Sequence, residues 1–208
     1  MLIESFSLNE LDTNTYVVSD GRAAVIIDPC ALDMAPVIAY IAKRELSVAA
    51  LVNTHCHFDH VLGNEPLRAL YGAPLYANRA ELAILRAAPR TAEIWTGVSP
   101  AVREPDGFLA EGAELAVGEL RLVVVETPGH SPGGICLHAA GQRVLFTGDT
   151  LFAGTIGRTD LPGGDSARLM DSLRDKLWPL PDETVIFPGH GEASTIGEER
   201  THNPFFRF

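Results

Sequence analysis

Thr54-His55-Cys56-His57-Phe58-Asp59-His60 sets three imidazoles and a carboxylate within the span His55 to His60. No ordinary helix, strand or turn needs that composition. Imidazole nitrogen with carboxylate oxygen suits first-row metals, zinc first among them. The preceding Val48-Ala49-Ala50-Leu51-Val52-Asn53 reads as a buried strand, so the motif begins where a strand ends and a loop starts, on a rigid scaffold. On a helix His55 and His57 would point apart, so their spacing favours extended or loop backbone. Cys56, flanked by ligand candidates, is expected to face away from them.

Three further stretches copy this placement. Val123-Val124-Val125-Glu126-Thr127 ends in Pro128-Gly129-His130, Val144-Leu145-Phe146-Thr147 in Gly148-Asp149, and Val185-Ile186-Phe187 in Pro188-Gly189-His190. Each is an apolar strand, then a Pro or Gly, then one potential ligand. Glycine there lets backbone turn sharply near an ion. His138 falls inside a strand pattern and His202 in the terminal helix, and both read as structural or solvated.

The rest of the chain supplies the scaffold. Residues 15–18 and 23–27 flank Asp20-Gly21, a hairpin signal. Asp33 reads as a helix N-cap, with Pro36 in the first turn and apolar residues at helical spacing to about residue 46. Asn64 and Gly72 bracket a short helix, 73–77 reads as a strand, and Asn78 caps another helix. Residues 87–112, with Pro89, Gly97, Pro100 and Pro105, read as a long irregular connection. Gly118-Glu119 and Gly141-Gln142 mark two more hairpins. Asp165 or Ser166 opens a helix with Leu169, Met170, Leu173 and Leu177 on its apolar face. Residues 184–187 form a last strand, and Thr195-Ile196-Gly197-Glu198 has the form of a capping box before a short helix.

The 208 residues, 46% hydrophobic and 21% charged, suit one globular domain spanning 1–208. A net charge of −11 argues against nucleic-acid and anionic-membrane partners. Met1-Leu2-Ile3-Glu4 has neither the basic nor the apolar region of a secretory signal. Cys30, Cys56 and Cys136 are odd in number and widely spaced, as expected of reduced thiols in a cytoplasmic protein.

The set His55-x-His57-x-Asp59-His60, His130, Asp149 and His190 resembles the metallo-β-lactamase-fold hydrolase superfamily, in both order and context. The resemblance implies an α+β fold, a four-layer αβ/βα sandwich of two mixed β-sheets with the metal site along one edge. It implies one ion on His55, His57 and His130, a second on Asp59, His60 and His190, and Asp149 bridging them. Asp28 matches an acid that braces the motif loop. Two Zn2+ ions are expected, with Fe or Mn as substitutes. Such a pair lowers the pKa of a shared water to about 7, giving a nucleophile for a carbonyl carbon. Asp59 is then also the candidate catalytic proton acceptor.

The Thr54-His55-Cys56-His57 opening and Gly154-Thr155-Ile156-Gly157-Arg158-Thr159-Asp160 resemble the glyoxalase II-like (hydroxyacylglutathione hydrolase-like) branch, its short bacterial type in particular. This implies a thioesterase acting on a small S-acylglutathione such as S-lactoylglutathione. Full-length members carry a helical C-terminal region whose basic residues hold glutathione, whereas this chain ends at Phe208, soon after His190. Arg158 is the candidate to bind a substrate carboxylate, or else it pairs with Asp160 to fix the loop. Two alternatives stay open: an iron-dependent glutathione persulfide dioxygenase, which shares the motif style and would hold one iron at residues including His55, His130 and Asp149, and another hydrolase of the fold such as a lactonase.

Overall fold

The computed structural model describes residues 1–208. Its strands are β1 (Leu2–Ser7), β2 (Asn14–Ser19), β3 (Ala23–Ile27), β4 (Ser47–Val52), β5 (Leu75–Asn78), β6 (Gly107–Leu109), β7 (Glu114–Val117), β8 (Leu120–Glu126), β9 (Ile135–Ala139), β10 (Val144–Gly148), β11 (Leu151–Phe152), β12 (Thr155–Ile156), β13 (Val185–Pro188) and β14 (Ser194–Thr195). The helices are α1 (Ala35–Lys43), α2 (Phe58–Val61), α3 (Asn64–Tyr71), α4 (Leu82–Thr96), α5 (Ser166–Ser172, extended by a wider turn to Leu177) and α6 (Ile196–His202).

Twelve of the strands pair in two six-stranded sheets, as the hairpins and αβ units require. The first sheet has the order β1-β2-β3-β4-β5-β6, antiparallel up to β3 and parallel beyond it. The second runs β14-β13-β10-β9-β8-β7, with β10 and β13 parallel and its other pairs antiparallel. Both sheets are therefore mixed, as expected, and α1, α3, α4 and the segment through α5 are the crossovers that parallel pairing demands.

Strand periodicity explains the layering. Neighbours in one strand go to opposite faces. Val18, Ile27, Val52 and Phe146 meet in a cluster between the sheets. Val17, Ile26 and Leu51 face outward onto Met34, Val37, Ile41 and Leu67 of the α1 and α3 layer. Leu145 and Ile186 face outward onto Leu169, Leu173, Leu177 and Ile196 of the α5 and α6 layer. The result is the expected αβ/βα sandwich. Its central strands read as unbroken apolar runs because both of their faces are covered.

Three local expectations change. Residues 87–112 are not one irregular connection. α4 continues through Pro89 to Thr96, ends at Gly97 (φ 73°), and β6 pairs parallel with β5. Leu85, Ala88 and Ala92 bury against Cys56, Phe58, Val61 and Leu62, and this packing outweighs the one hydrogen bond Pro89 cannot make. Asn64 does not cap α3, where Gly63 holds the N-cap position. Its amide is engaged with Asn53 (2.8 Å), whose own amide donates to the His60 carbonyl (3.0 Å). Met34 occupies the N-cap position of α1, although the Asp33 carboxylate accepts from the Ala35 amide at 2.9 Å. Asp165 and Thr195 cap their helices as read.

Candidate metal centre

All the ligand candidates converge at one edge of the sandwich, at the ends of β4, β8, β10 and β13. Three overlapping groups form, namely His55, His57 and His130; His55, His60 and Asp149; and Asp59, His60 and His190, with donor atoms in each within 4.8 Å of one another. Asp149 joins them. Its Oδ2 lies 3.4 Å from His130 Nε2, 3.4 Å from His190 Nε2 and 3.8 Å from His55 Nε2, and its Oδ1 lies 3.5 Å from His60 Nε2. Asp59 Oδ2 lies 3.5 Å from His60 Nε2 and 3.4 Å from His190 Nε2. His138 and His202 lie outside the cluster, and Cys56 is buried against Phe58 and Leu85 on the far side of the motif.

Local hydrogen bonds aim the rings. His130 Nδ1 donates to the Arg158 carbonyl (2.7 Å) and His190 Nδ1 to the Leu11 carbonyl (2.8 Å), since a carbonyl can only accept. Thr54 gives its hydroxyl proton to Asp28 Oδ2 (2.6 Å), so its oxygen is left to accept from His55 Nδ1 (3.2 Å). In all three rings the neutral tautomer therefore turns a bare Nε2 into the cluster, the arrangement a metal ligand requires.

The electrostatics divide the histidines into two kinds. Burial, with the other imidazoles, holds His55 well below its usual value, and burial and His130 pull His57 down to about 4. Burial also opposes charge on His60 and His190, but Asp149, Asp59 and Asp28 outweigh it at His60, pushing it up to about 9. Hydrogen bonds to Asp149 and Asp59 push His190 up to about 11. Burial opposes charge on Asp59 and Asp149 too, yet the neighbouring imidazoles keep both below the usual carboxylate range. No lysine or arginine side chain pairs with either acid, so positive charge at this point comes only from imidazolium or from a bound cation. His55 Nε2 and Asp149 Oδ1 are buried with no hydrogen-bond partner, a costly state that coordination would relieve. The donor set suits a dinuclear metal site.

Several supporting residues carry no sequence signal. Thr13 donates to Asp59 Oδ2 (2.9 Å), and Asn9 to the Asp59 carbonyl (3.3 Å). Glu81, 1% exposed, accepts from the amides of Cys56 (2.8 Å) and Gly133 (2.7 Å). Each reads as an ordinary loop or helix residue until tertiary contacts bring it to the motif. Arg158 lies on the loop beside His130, with its exposed guanidinium in a bidentate pair with Asp160 (2.7 Å for each bond).

Residues 8–190 match the family described as the metallo-beta-lactamase superfamily, across the whole ligand set. The chain belongs to that superfamily. It is a metallo-hydrolase of the metallo-β-lactamase fold, α+β in class. Among superfamily relatives, the hydroxyacylglutathione hydrolase GloC of Haemophilus influenzae is 35% identical over 99% of this chain and 98% of its own length. The crystal structure of BLEG-1 B3 metallo-beta-lactamase superposes with a TM-score of 0.92 at 36% identity, covering 100% of both chains. That of TTHA1623 in a di-iron-bound form gives 0.88 at 35% identity, covering 97% of this chain and 99% of its own. No helix is long and apolar enough to cross a membrane.

Proposed function

We propose that this chain is a glyoxalase II-like thioesterase that hydrolyses a small S-acylglutathione such as S-lactoylglutathione. The observation that carries the reading is the placement of Asp149 Oδ2 between His130 and His190, which joins two ligand triads at one carboxylate. The likeness to GloC, over 99% of this chain and 98% of that protein, supports the substrate class. We assign His55, His57 and His130 to one zinc and Asp59, His60 and His190 to the other, with Asp149 shared. Iron is the first substitute, in keeping with the di-iron form of TTHA1623.

A divalent pair held by these residues would supply a water acidic enough to be a nucleophile at neutral pH and a Lewis acid for a carbonyl oxygen. The chain's own groups do the rest. Asp59, kept ionised by the imidazoles around it, accepts the proton released by the water. Thr13 holds that carboxylate oriented. Arg158 is the proposed contact for a substrate carboxylate. An exposed ion pair is weak, so a carboxylate of the substrate can take the place of Asp160 on its guanidinium fork.

Elemental analysis of the purified protein, followed by S-lactoylglutathione turnover on the same sample, tests the reading. Two zinc ions per chain with rapid thiol release support it. One iron per chain with oxygen uptake on glutathione persulfide would establish the dioxygenase instead, and turnover confined to lactones would establish the lactonase.

A further inference from the structure

One ligand triad is split between the two sheets. His55 and His57 follow β4 of the first sheet, whereas His130 follows β8 of the second. The bases of the two loops are joined by one backbone bond, from the Ile135 amide to the Thr54 carbonyl (2.9 Å), which leaves the ligand-bearing parts of the loops to be held by side chains. Glu81 stands between them. It closes a short 3₁₀ turn, Arg79–Glu81, that follows β5 and is capped by Asn78 through the Ala80 amide (2.9 Å). One carboxylate oxygen takes the Cys56 amide, between the two histidines of the motif, and the other takes the Gly133 amide, three residues beyond His130. The Asn78 side chain adds a further tie across the sheets by donating to Glu126 at the end of β8 (2.8 Å).

We propose that Glu81 is a positioning residue, a buried carboxylate that locks the His55–His57 loop to the His130 loop and so sets the spacing of that triad. The proposal rests on the reading of these histidines as ligands. Charge matters to the device. An ionised carboxylate accepts at both oxygens, while a glutamine of the same shape must turn an N–H toward one of the two amides. Partners that orient ligands change metal affinity by about 10–100-fold when removed.

The test compares zinc release to excess chromophoric chelator from the wild type, Glu81→Gln and Asp106→Asn. Asp106 pairs with Arg68 and accepts from the Leu75 amide, away from both ligand loops, so its variant controls for general loosening. The expected result is release from one of the two zinc positions about 10–100-fold faster in Glu81→Gln, with Asp106→Asn behaving as wild type. Unchanged release in Glu81→Gln, or equal acceleration in Asp106→Asn, would overturn the proposal. If Glu81→Gln does not fold, amide exchange on chelator-stripped wild type decides. Slow exchange at Cys56 and Gly133 supports the lock, and fast exchange at both removes it. His130→Ala separates the two readings, because full zinc content in that variant would refute the ligand assignment itself.

Discussion

Asp28 accepts both the amide and the hydroxyl of Thr54, at 2.7 and 2.6 Å, and so fixes the residue at which the metal motif leaves its strand. The same carboxylate lies 3.2 Å from His60 Nδ1. Asp28 reaches this position with φ of 50°, and its carbonyl is held by the Thr15 hydroxyl at 2.7 Å. A non-glycine residue in that region of backbone is uncommon and needs such support. Asp28→Ala should therefore weaken zinc binding by about 10–100-fold while the sheets stay folded. Competitive titration with a chelator, alongside far-UV circular dichroism, checks both halves of the statement.

Removal of Asp149 takes away the carboxylate that the two triads share. Asp149→Ala and His130→Ala should abolish turnover and lower metal content, measured by elemental analysis after gel filtration. Full activity with normal metal content in either variant would reject that residue as a ligand. Exhaustive chelation of the wild type should likewise abolish turnover, and added zinc should restore it.

Gly189 backs directly onto the same carboxylate. A methyl group there would fall 2.1 Å from Asp149 Oδ1 and 2.9 Å from His60 Cε1. Gly189→Ala must push Asp149 aside, so kcat should fall on the order of 100-fold, as for an ångström-scale misplacement of reacting groups. Steady-state kinetics on the purified variant give the answer, and a kcat within twofold of wild type would show that Asp149 position is not critical.

Arg158 and Asp160 should act in opposite directions on substrate binding. Arg158→Ala should raise KM roughly tenfold with kcat unchanged, while Asp160→Ala frees the guanidinium and should lower KM. Identical KM values in all three proteins would leave Arg158 with only its carbonyl contact to His130.

Far from the site, Asp20 ties the two sheets' hairpins together. Its carboxylate accepts from the amides of Arg22 (2.8 Å), Ala23 (2.9 Å) and, across the gap, Glu119 (3.0 Å). These bonds, that to Glu119 foremost, lower its pKa from 3.8 to about 2. A depressed folded value means that the stabilisation is complete above 3.8 and is lost as pH falls through about 2. The stability advantage of wild type over Asp20→Asn should be constant at neutral pH and shrink below pH 4 in denaturant titrations. An advantage that grows on acidification would contradict the sign.

The sequence by itself determined the candidate ligands, their order, and the strand ends that carry them, because a dense run of imidazole and carboxylate has no structural use and apolar strands are legible from composition. It also determined the hairpins and the caps at Asp165 and Thr195, which depend on neighbours within three residues. Only the tertiary structure decided that α4 survives Pro89, since the packing of Leu85, Ala88 and Ala92 on Phe58 and Leu62 is non-local. Only it decided that Asn64 pairs with Asn53, and that Thr13 and Glu81 support ligand loops 46 and 25 residues away. Hydrogen bonds that span such distances leave no period or spacing in the chain. They exist because two sheets close face to face and bring separate strand ends to one edge.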